Sequence, residues 1–518
     1  QEIAVNTIGG KLVLLQPTKS KGHWLDVALS RFSPGAVVTA VLPGGRRISG
    51  DVRAGSSYLS SEDPRIHFGL GPATRVAQLI VRSISGQYTR LANVPADRVV
   101  TVLAPGARTP AAGAASVARL AGCSPATNGR STARIWNDAA VATLRAAAAP
   151  EPVQARDLYD LALAVRQAYT LARTPDERDA AISYAAYRFL LWQSSHDANL
   201  SQTFGLLSKQ LRALCYSPRY TAQVGPGPAL GNRIAAAAIA TSGGDGSNEA
   251  LHYADPTYTP ENQPLIVAQA GSTVHDATFW QPLALAQVSP RGSGAVPAAV
   301  QSFVGSQWGA VRTFAGKVAV AAPTVGDPDG AVYRRTAMAA IRATAGSSAP
   351  ATVDPSPAAW NAALDGMPNA DLRADVEVDL ALNAALNDAA VAAYGAKRTY
   401  QTPRPISMIR YLAANGRLPI VAGLTRRVGK TVEVRVGGRW VRGDRWAPPA
   451  PTPPSPGYPS TDAAFAAAAE GVLGKTFAAR AAAAEGIGAA QGTEAPADVE
   501  AGKRLGAAVA KRVLARLR

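Results

Sequence analysis

The sequence predicts a multidomain protein, an N-terminal β-sandwich followed by a mainly α-helical bundle, and three observations carry that reading. Residues 1–105 alternate short apolar runs with Gly and Pro turns. Residues 106–130 are rich in Ala, Gly, Pro and Ser and read as a linker. From Arg134 the chain changes to long Ala-rich segments with apolar residues at helical spacing, which gives a helical domain over 131–518. At 518 residues, 47% hydrophobic and 17% charged, the chain is globular in composition and long enough for more than one sizeable core.

In the first region the expected strands are Leu12–Leu15, Trp24–Leu29, Ala36–Val41, Val76–Val81 and the closing Val99–Leu103. His23 and His67 fall in this region, and a structural role outweighs a shared metal for them. In the second region Asp157–Ala172 and Glu177–Leu191 read as helices, and residues 370–400 as another. Gly225-Pro226-Gly227-Pro228, the stretch from Gly243 to Asn248 and the stretch from Asp327 to Gly330 read as loops. The Asp245–Asn248 piece lacks the rest of a calcium loop and is taken as a turn. Thr431–Val436 and Arg439–Val441 flank Gly437-Gly438, a β-hairpin signal, inside an insertion at about 423–446. That insertion carries Arg426, Arg427, Lys430, Arg435, Arg439, Arg442 and Arg445, the densest basic patch of the chain. Pro448–Pro459 is a Pro-rich connector, and Ser460 opens an Ala-rich helix.

The net charge of +17 favours an anionic partner: a surface, a polysaccharide, an acidic protein or a larger assembly. No helix-turn-helix or RNA-binding signature accompanies the charge, which argues against nucleic acid. No apolar run reaches the length of a membrane span. Cys123 and Cys215 are too few for a zinc site built mainly from thiolates; they form either one disulfide in an oxidising compartment or two buried thiols.

The stretch from Lys397 to Pro405 holds the candidate chemistry. Lys397 and Arg404 are seven residues apart, so a helix running on to Pro403 and Pro405 would stack both cations on one face, able to reach one anion.

Two family resemblances follow from these residues. Gly22-His23-Trp24-Leu25-Asp26-Val27, the stretch from Gly55 to Ser61 and His67-Phe68-Gly69-Leu70-Gly71 resemble the ASPIC/UnbV domain family. In that family a propeller of FG-GAP repeats usually precedes the module. Gln1 opens directly into a β-like pattern, so the chain reads as a processed or truncated product. The helical region resembles the vanadium-dependent haloperoxidases, within the phosphatidic-acid-phosphatase-like superfamily. The resemblance rests on Ala181–Arg188, Trp280–Leu283, Gln301–Gly309 and the family's first motif, Lys, six residues, Arg-Pro, which Lys397, Arg404 and Pro405 match. It implies that Lys397 and Arg404, with Ser460 at a helix start, would hold vanadate or phosphate.

The other two motifs depart from the family. Pro459-Ser460-Thr461-Asp462 stands where Pro-Ser-Gly-His is expected, so Asp462 replaces the acid-base histidine. Counting back from Asp498, Glu494 stands where the vanadate-binding histidine should be, and Gly488 where the third motif's arginine should be. All five histidines, at 23, 67, 196, 252 and 275, precede residue 276. An added carboxylate a few ångströms from an oxyanion costs roughly several kcal/mol in a low-dielectric site, so no vanadate cofactor is expected. The expectation is therefore a haloperoxidase-like protein with a degenerate vanadate pocket, extracytoplasmic by resemblance, serving a structural or binding role. The alternatives are a repurposed enzyme, with Asp462, Glu494 and Asp498 as acid-base groups or as ligands of a divalent cation, and a residual haloperoxidase.

Overall fold

A computed structural model describes residues 3–5, 13–15, 22–29, 33, 35–53, 65–84, 86–102, 119–120, 122–196, 200–218, 225–285, 299–346, 353–367 and 371–518. The chain divides into two compact units, Gln1–Ala114 and Ala115–Arg518.

The first unit begins with a small antiparallel pair, β1 (Ile3–Val5) and β2 (Val13–Leu15). Seven longer strands follow: β3 (His23–Leu29), β4 (Val37–Val41), β5 (Arg47–Asp51), β6 (Ile66–Gly71), β7 (Arg75–Arg82), β8 (Tyr88–Pro95) and β9 (Arg98–Val102). They make two sheets, ordered β6-β3-β9 and β5-β4-β7-β8. Alternate residues point inward, as a half-buried strand requires. Leu25 and Val27 of β3, Val38 and Ala40 of β4, Phe68 and Leu70 of β6, and Leu79 and Val81 of β7 form one core. His23 and His67 each place Nδ1 2.6 Å from a carboxylate, Asp97 and Asp26 respectively. The expected Gly55–Ser61 motif lies outside the described residues.

The second unit starts inside the expected linker. Residues 106–118 lie outside the described residues, but those after them are strapped to the helical domain. Cys123 is disulfide-bonded to Cys215, Leu120 N donates to Cys215 O, and Ala126 N donates to Ala213 O. The structure thus chooses the disulfide over two thiols.

Thirteen described helices follow. They are α1 (Thr132–Ala146), α2 (Glu151–Leu171), α3 (Pro175–Gln193), α4 (Leu200–Ala213), α5 (Pro226–Ser242), α6 (Ala331–Thr344), α7 (Pro357–Ala362), α8 (Leu372–Tyr400), α9 (Pro405–Ala414), α10 (Thr461–Leu473), α11 (Ala478–Glu485), α12 (Ile487–Ala490) and α13 (Pro496–Leu517). Among the described residues no helix is long and apolar enough to cross a membrane. The Gly225–Pro228 stretch, expected as a loop, instead starts α5, because proline is tolerated in a first turn whose N–H groups have no helical partner anyway.

Helix α8 is the central post: Leu382, Ala385, Leu386, Ala389 and Ala393 are all fully buried, in one core with residues of α2, α10 and α13. Helices α10 and α13 press backbone to backbone. A Cβ on Gly502 would stand 2.3 Å from Ser460 O, and one on Gly506 2.2 Å from Ala464 O. Only glycine permits that approach.

The basic insertion is a three-stranded sheet, β13 (Thr425–Val428), β14 (Thr431–Val436) and β15 (Arg439–Arg442). Gly437 and Gly438 both have positive φ, as the two-residue turn demands. Two of its cations are neutralised within the sheet region, Arg426 by Glu433 at 2.7 Å and Arg442 by Asp444 at 2.6 Å. The Asp245 turn is also confirmed as a turn: Asp245 accepts from Ser247 N, and its carboxylate pairs with buried Arg156 at 2.6 Å.

Candidate functional site

Lys397 and Arg404 do converge, but not by stacking on one helix. Helix α8 ends at Tyr400, and Gln401 turns the chain in the left-handed region, with φ 47°. Arg404 is extended (φ −87°, ψ 153°), as the residue before a proline prefers, and it precedes α9. The reversal after Tyr400 brings its side chain back toward Lys397.

Both cations are buried, at 0% and 1% exposure, and both are committed to protein acceptors. Lys397 Nζ donates to Pro456 O at 2.7 Å and Gly457 O at 3.1 Å. Arg404 Nε donates to Ser455 O at 2.8 Å and Nη2 to Ser455 Oγ at 3.2 Å. Its Nη1 donates to Thr493 O and Glu494 Oε1, each at 3.2 Å. The end of the Pro-rich connector, Ser455 to Gly457, thus lies across the cations as a collar of carbonyls. Gly457 N in turn donates to Thr402 O, and Tyr458 N to Thr402 Oγ1, which fixes the collar to the chain between α8 and α9.

Ser460 is fully buried and caps α10, its Oγ accepting from Ala463 N at 3.1 Å. Asp498 lies in the first turn of α13, where its Oδ2 accepts from Ala495 N at 3.2 Å and its carbonyl accepts from Ser460 N at 2.9 Å. Both are therefore occupied in fixing helix ends. Glu494 fills the space in front of Gly488: a Cβ there would meet Glu494 Oε2 at 2.4 Å and Cδ at 2.7 Å. No side chain at 488 fits beside this glutamate. Glu494 Oε2 is buried with no hydrogen-bond partner.

Asp462 sits in the first turn of α10, partly exposed. The structure adds two groups that the sequence did not single out. Glu151, at the start of α2, is joined to the pocket by the charges of Glu494, Lys397 and Arg404. Tyr394, one turn before Lys397 on α8, feels Glu151, Asp462 and Arg404. The i, i+3 spacing to Lys397 was a usable signal for Tyr394. Nothing local in Pro150-Glu151-Pro152 announces contact with residues some three hundred positions downstream.

The pocket thus gathers two cations and four carboxylates. Burial, reinforced by the Glu494 charge, pushes Glu151 and Asp498 up to about 7. Asp462 keeps some exposed surface as a residue, but desolvation of its carboxyl and the nearby Glu151 drive it well above the usual carboxylate range. Burial and the neighbouring Arg404 lower Lys397 to about 8. Among the described residues, no group of three or more His, Cys, Asp and Glu is placed to hold a metal ion.

The fold and the site define a class: a mainly helical bundle whose central helix ends at a buried pair of cations, in a chain that also carries a separate β-sandwich. The comparisons give that class its relatives. The family model "ASPIC and UnbV" matches residues 27–109, and the model "VCPO second helical-bundle domain" matches residues 377–484. Among solved structures, a holo-type bacterial vanadium-dependent chloroperoxidase is similar at TM-score 0.56 and 16% identity, over 71% of this chain and 92% of that one. Its apo-type structure matches at TM-score 0.54 and 16% identity, over 71% and 94%. A bacterial vanadium-dependent iodoperoxidase matches at TM-score 0.50 and 16% identity, over 74% and 95%. No curated protein matches the chain. The chain therefore carries an ASPIC/UnbV domain followed by a helical region with the vanadium haloperoxidase fold.

Two outcomes are expected. Gly488→Ala should destabilise the helical unit by about 1–3 kcal/mol, the usual cost of overpacking. Much of that cost should vanish in a Glu494→Ala background, as a denaturant double-mutant cycle would read. Equal cost in both backgrounds would contradict the packing described. The second outcome concerns pH. Glu151, Asp462 and Asp498 have folded-state values above their unfolded ones, so the native state holds extra protons between the two. Asp157 and Asp379, raised by burial to about 8 and about 7, act in the same sense. Thermal stability should therefore fall as pH rises from about 5 to about 8, and Glu151→Gln should reduce the slope.

Proposed function

We propose that this chain is a secreted or surface-associated haloperoxidase-like protein with a degenerate vanadate pocket, acting as a structural or binding protein and not as a catalyst. The observation that carries the proposal is the commitment of both cradle cations. Lys397 and Arg404 direct their donors at the carbonyls of Ser455, Pro456, Gly457 and Thr493 and at Glu494. An oxyanion would have to displace those acceptors, the Glu494 carboxylate among them, from two fully buried cations.

The donor set does not fit vanadate. Its bond to protein calls for an imidazole nitrogen, and the position that would supply one holds Glu494. Lowering pH relieves the carboxylate repulsion by protonation but creates no nitrogen ligand. The disulfide between Cys123 and Cys215 supports an oxidising, extracytoplasmic compartment.

For the binding role, the basic sheet offers the contact. With Arg426 and Arg442 paired internally, the cations left to meet an anionic surface are Arg427 and Arg439 on one face of the sheet, Arg435 on the other, and Lys430 at the turn.

Two measurements test these readings. In equilibrium dialysis against vanadate followed by metal analysis, the protein should retain far less than one vanadium per chain; stoichiometric retention would overturn the degenerate-pocket reading. Replacing Arg427, Arg435 and Arg439 together by Glu should release the protein from a sulfated-polysaccharide resin at low salt. Undiminished retention would remove the hairpin as the attachment surface.

A further inference from the structure

Helix α8 also lines a cleft on another of its faces. Gly395 and Thr399 lie two positions either side of Lys397, about 200° around the helix from it. They line a cleft of about 530 Å³ that also takes in Asp255, Ser306, Lys317 and Arg398. That volume is in the usual range for small-ligand sites, about 300–1,000 Å³. None of the pocket residues described above lines it except through the shared helix.

The floor of the cleft is built by close approach. A Cβ on Gly309 would stand 2.9 Å from Gly395 Cα, so two facing glycines let the 308–310 turn lie directly on α8. Val318, Val320 and Val391 give the walls an apolar character.

Most polar groups in the cleft are already satisfied. Asp255 accepts from Thr257 N at 2.9 Å, Thr257 Oγ1 at 2.6 Å and Ser306 Oγ at 2.9 Å. Thr399 Oγ1 donates to Gly395 O, and Tyr400 OH to Val320 O.

Arg398 is different. Its guanidinium is positioned before any ligand arrives: it stacks over Tyr258 at 4.5 Å, and Tyr258 is itself held by a 3.0 Å bond to Gln401. Arg398 Nη2 donates to Thr257 O at 3.2 Å and lies 3.9 Å from Asp255. Nη2 carries a second hydrogen, which with Nε or Nη1 makes a two-donor edge, and the side chain is one-third exposed. Lys317, exposed at the rim, adds a second positive charge. Against Asp255 alone, the two cations leave the cleft positive.

We propose that this cleft binds a small organic carboxylate with an apolar body. The fixed Arg398 fork takes the carboxylate, Lys317 strengthens it electrostatically, and the valine walls take the apolar part. A pre-positioned guanidinium loses little freedom on binding and matches a carboxylate's geometry. The site stands independently of the vanadate question, since it uses the opposite face of α8.

Benzoate is a suitable probe and benzamide its uncharged counterpart, each titrated against the full chain by ligand-observed NMR. Benzoate should bind saturably and benzamide about tenfold or more weakly. Lys317→Gln, at an exposed position, and Arg398→Gln should each weaken benzoate about tenfold, with added salt acting in the same direction. Ala310→Trp, which fills the cleft from an exposed position, should abolish binding while leaving the melting temperature near that of the parent. Absence of benzoate binding, equal affinity for benzamide, or binding untouched by Lys317→Gln and Ala310→Trp would each overturn the proposal.

Discussion

A guanidinium and an ammonium enclosed in protein must find negative or carbonyl partners close at hand, and the centre of the helical unit is arranged around that need. Leaving one such charge uncompensated costs about 3–5 kcal/mol, a large share of a domain's net stability. Lys397 and Arg404 meet the requirement through the Ser455–Gly457 collar, Thr493 O and Glu494. Those acceptors come from two separate parts of the chain, neither of them adjacent in sequence to the cations. The pair therefore ties the end of α8, the Pro-rich connector and the approach to α13 into one piece.

The same requirement explains why neighbouring residues come as sets. Glu494 supplies a counter-charge to Arg404, and Gly488 leaves the volume that the glutamate occupies. Asp498 closes the first turn of α13 and holds Ser460 N, while the Gly502 and Gly506 contacts bring α10 close enough for that bond to form. Packing of this kind persists whether or not an anion is ever bound, because each partner is a neighbour inside the chain. The bundle consequently holds its two buried cations with partners supplied by its own chain.

How much of this was legible in the sequence depended on the range of the interaction. Strand alternation, the Gly437-Gly438 hairpin and the long α8 follow from local periodicity and turn chemistry, and they appear close to where the sequence puts them. Lys397, Arg404 and Ser460 were marked by motif spacing, and the structure brings them to one region. The geometry joining the first two was misread, since Pro403 and Pro405 end α8 a full turn earlier than a shared helical face requires. Gly225–Pro228 was misread too: turn-like composition and a proline-rich first helical turn look alike locally. Glu151 was out of reach altogether, because its place in the pocket is decided by how α2 packs on α8, which no local pattern encodes. The disulfide was undecided for the same reason: its two cysteines are 92 residues apart, and only the folded chain shows their Cα atoms 5.6 Å apart.

That disulfide also has a mechanical meaning. The polypeptide leaves the β unit and enters the helical unit next to Cys123, which is fastened to Cys215 at the end of α4, with Leu120 and Ala126 bonded alongside. Tension on the first unit would therefore reach the second through a covalent staple before it could peel α1 from the bundle. For a chain anchored at one end and pulled at the other, reduction of that S–S bond would leave the entry held by the Leu120 and Ala126 hydrogen bonds in place of a covalent link.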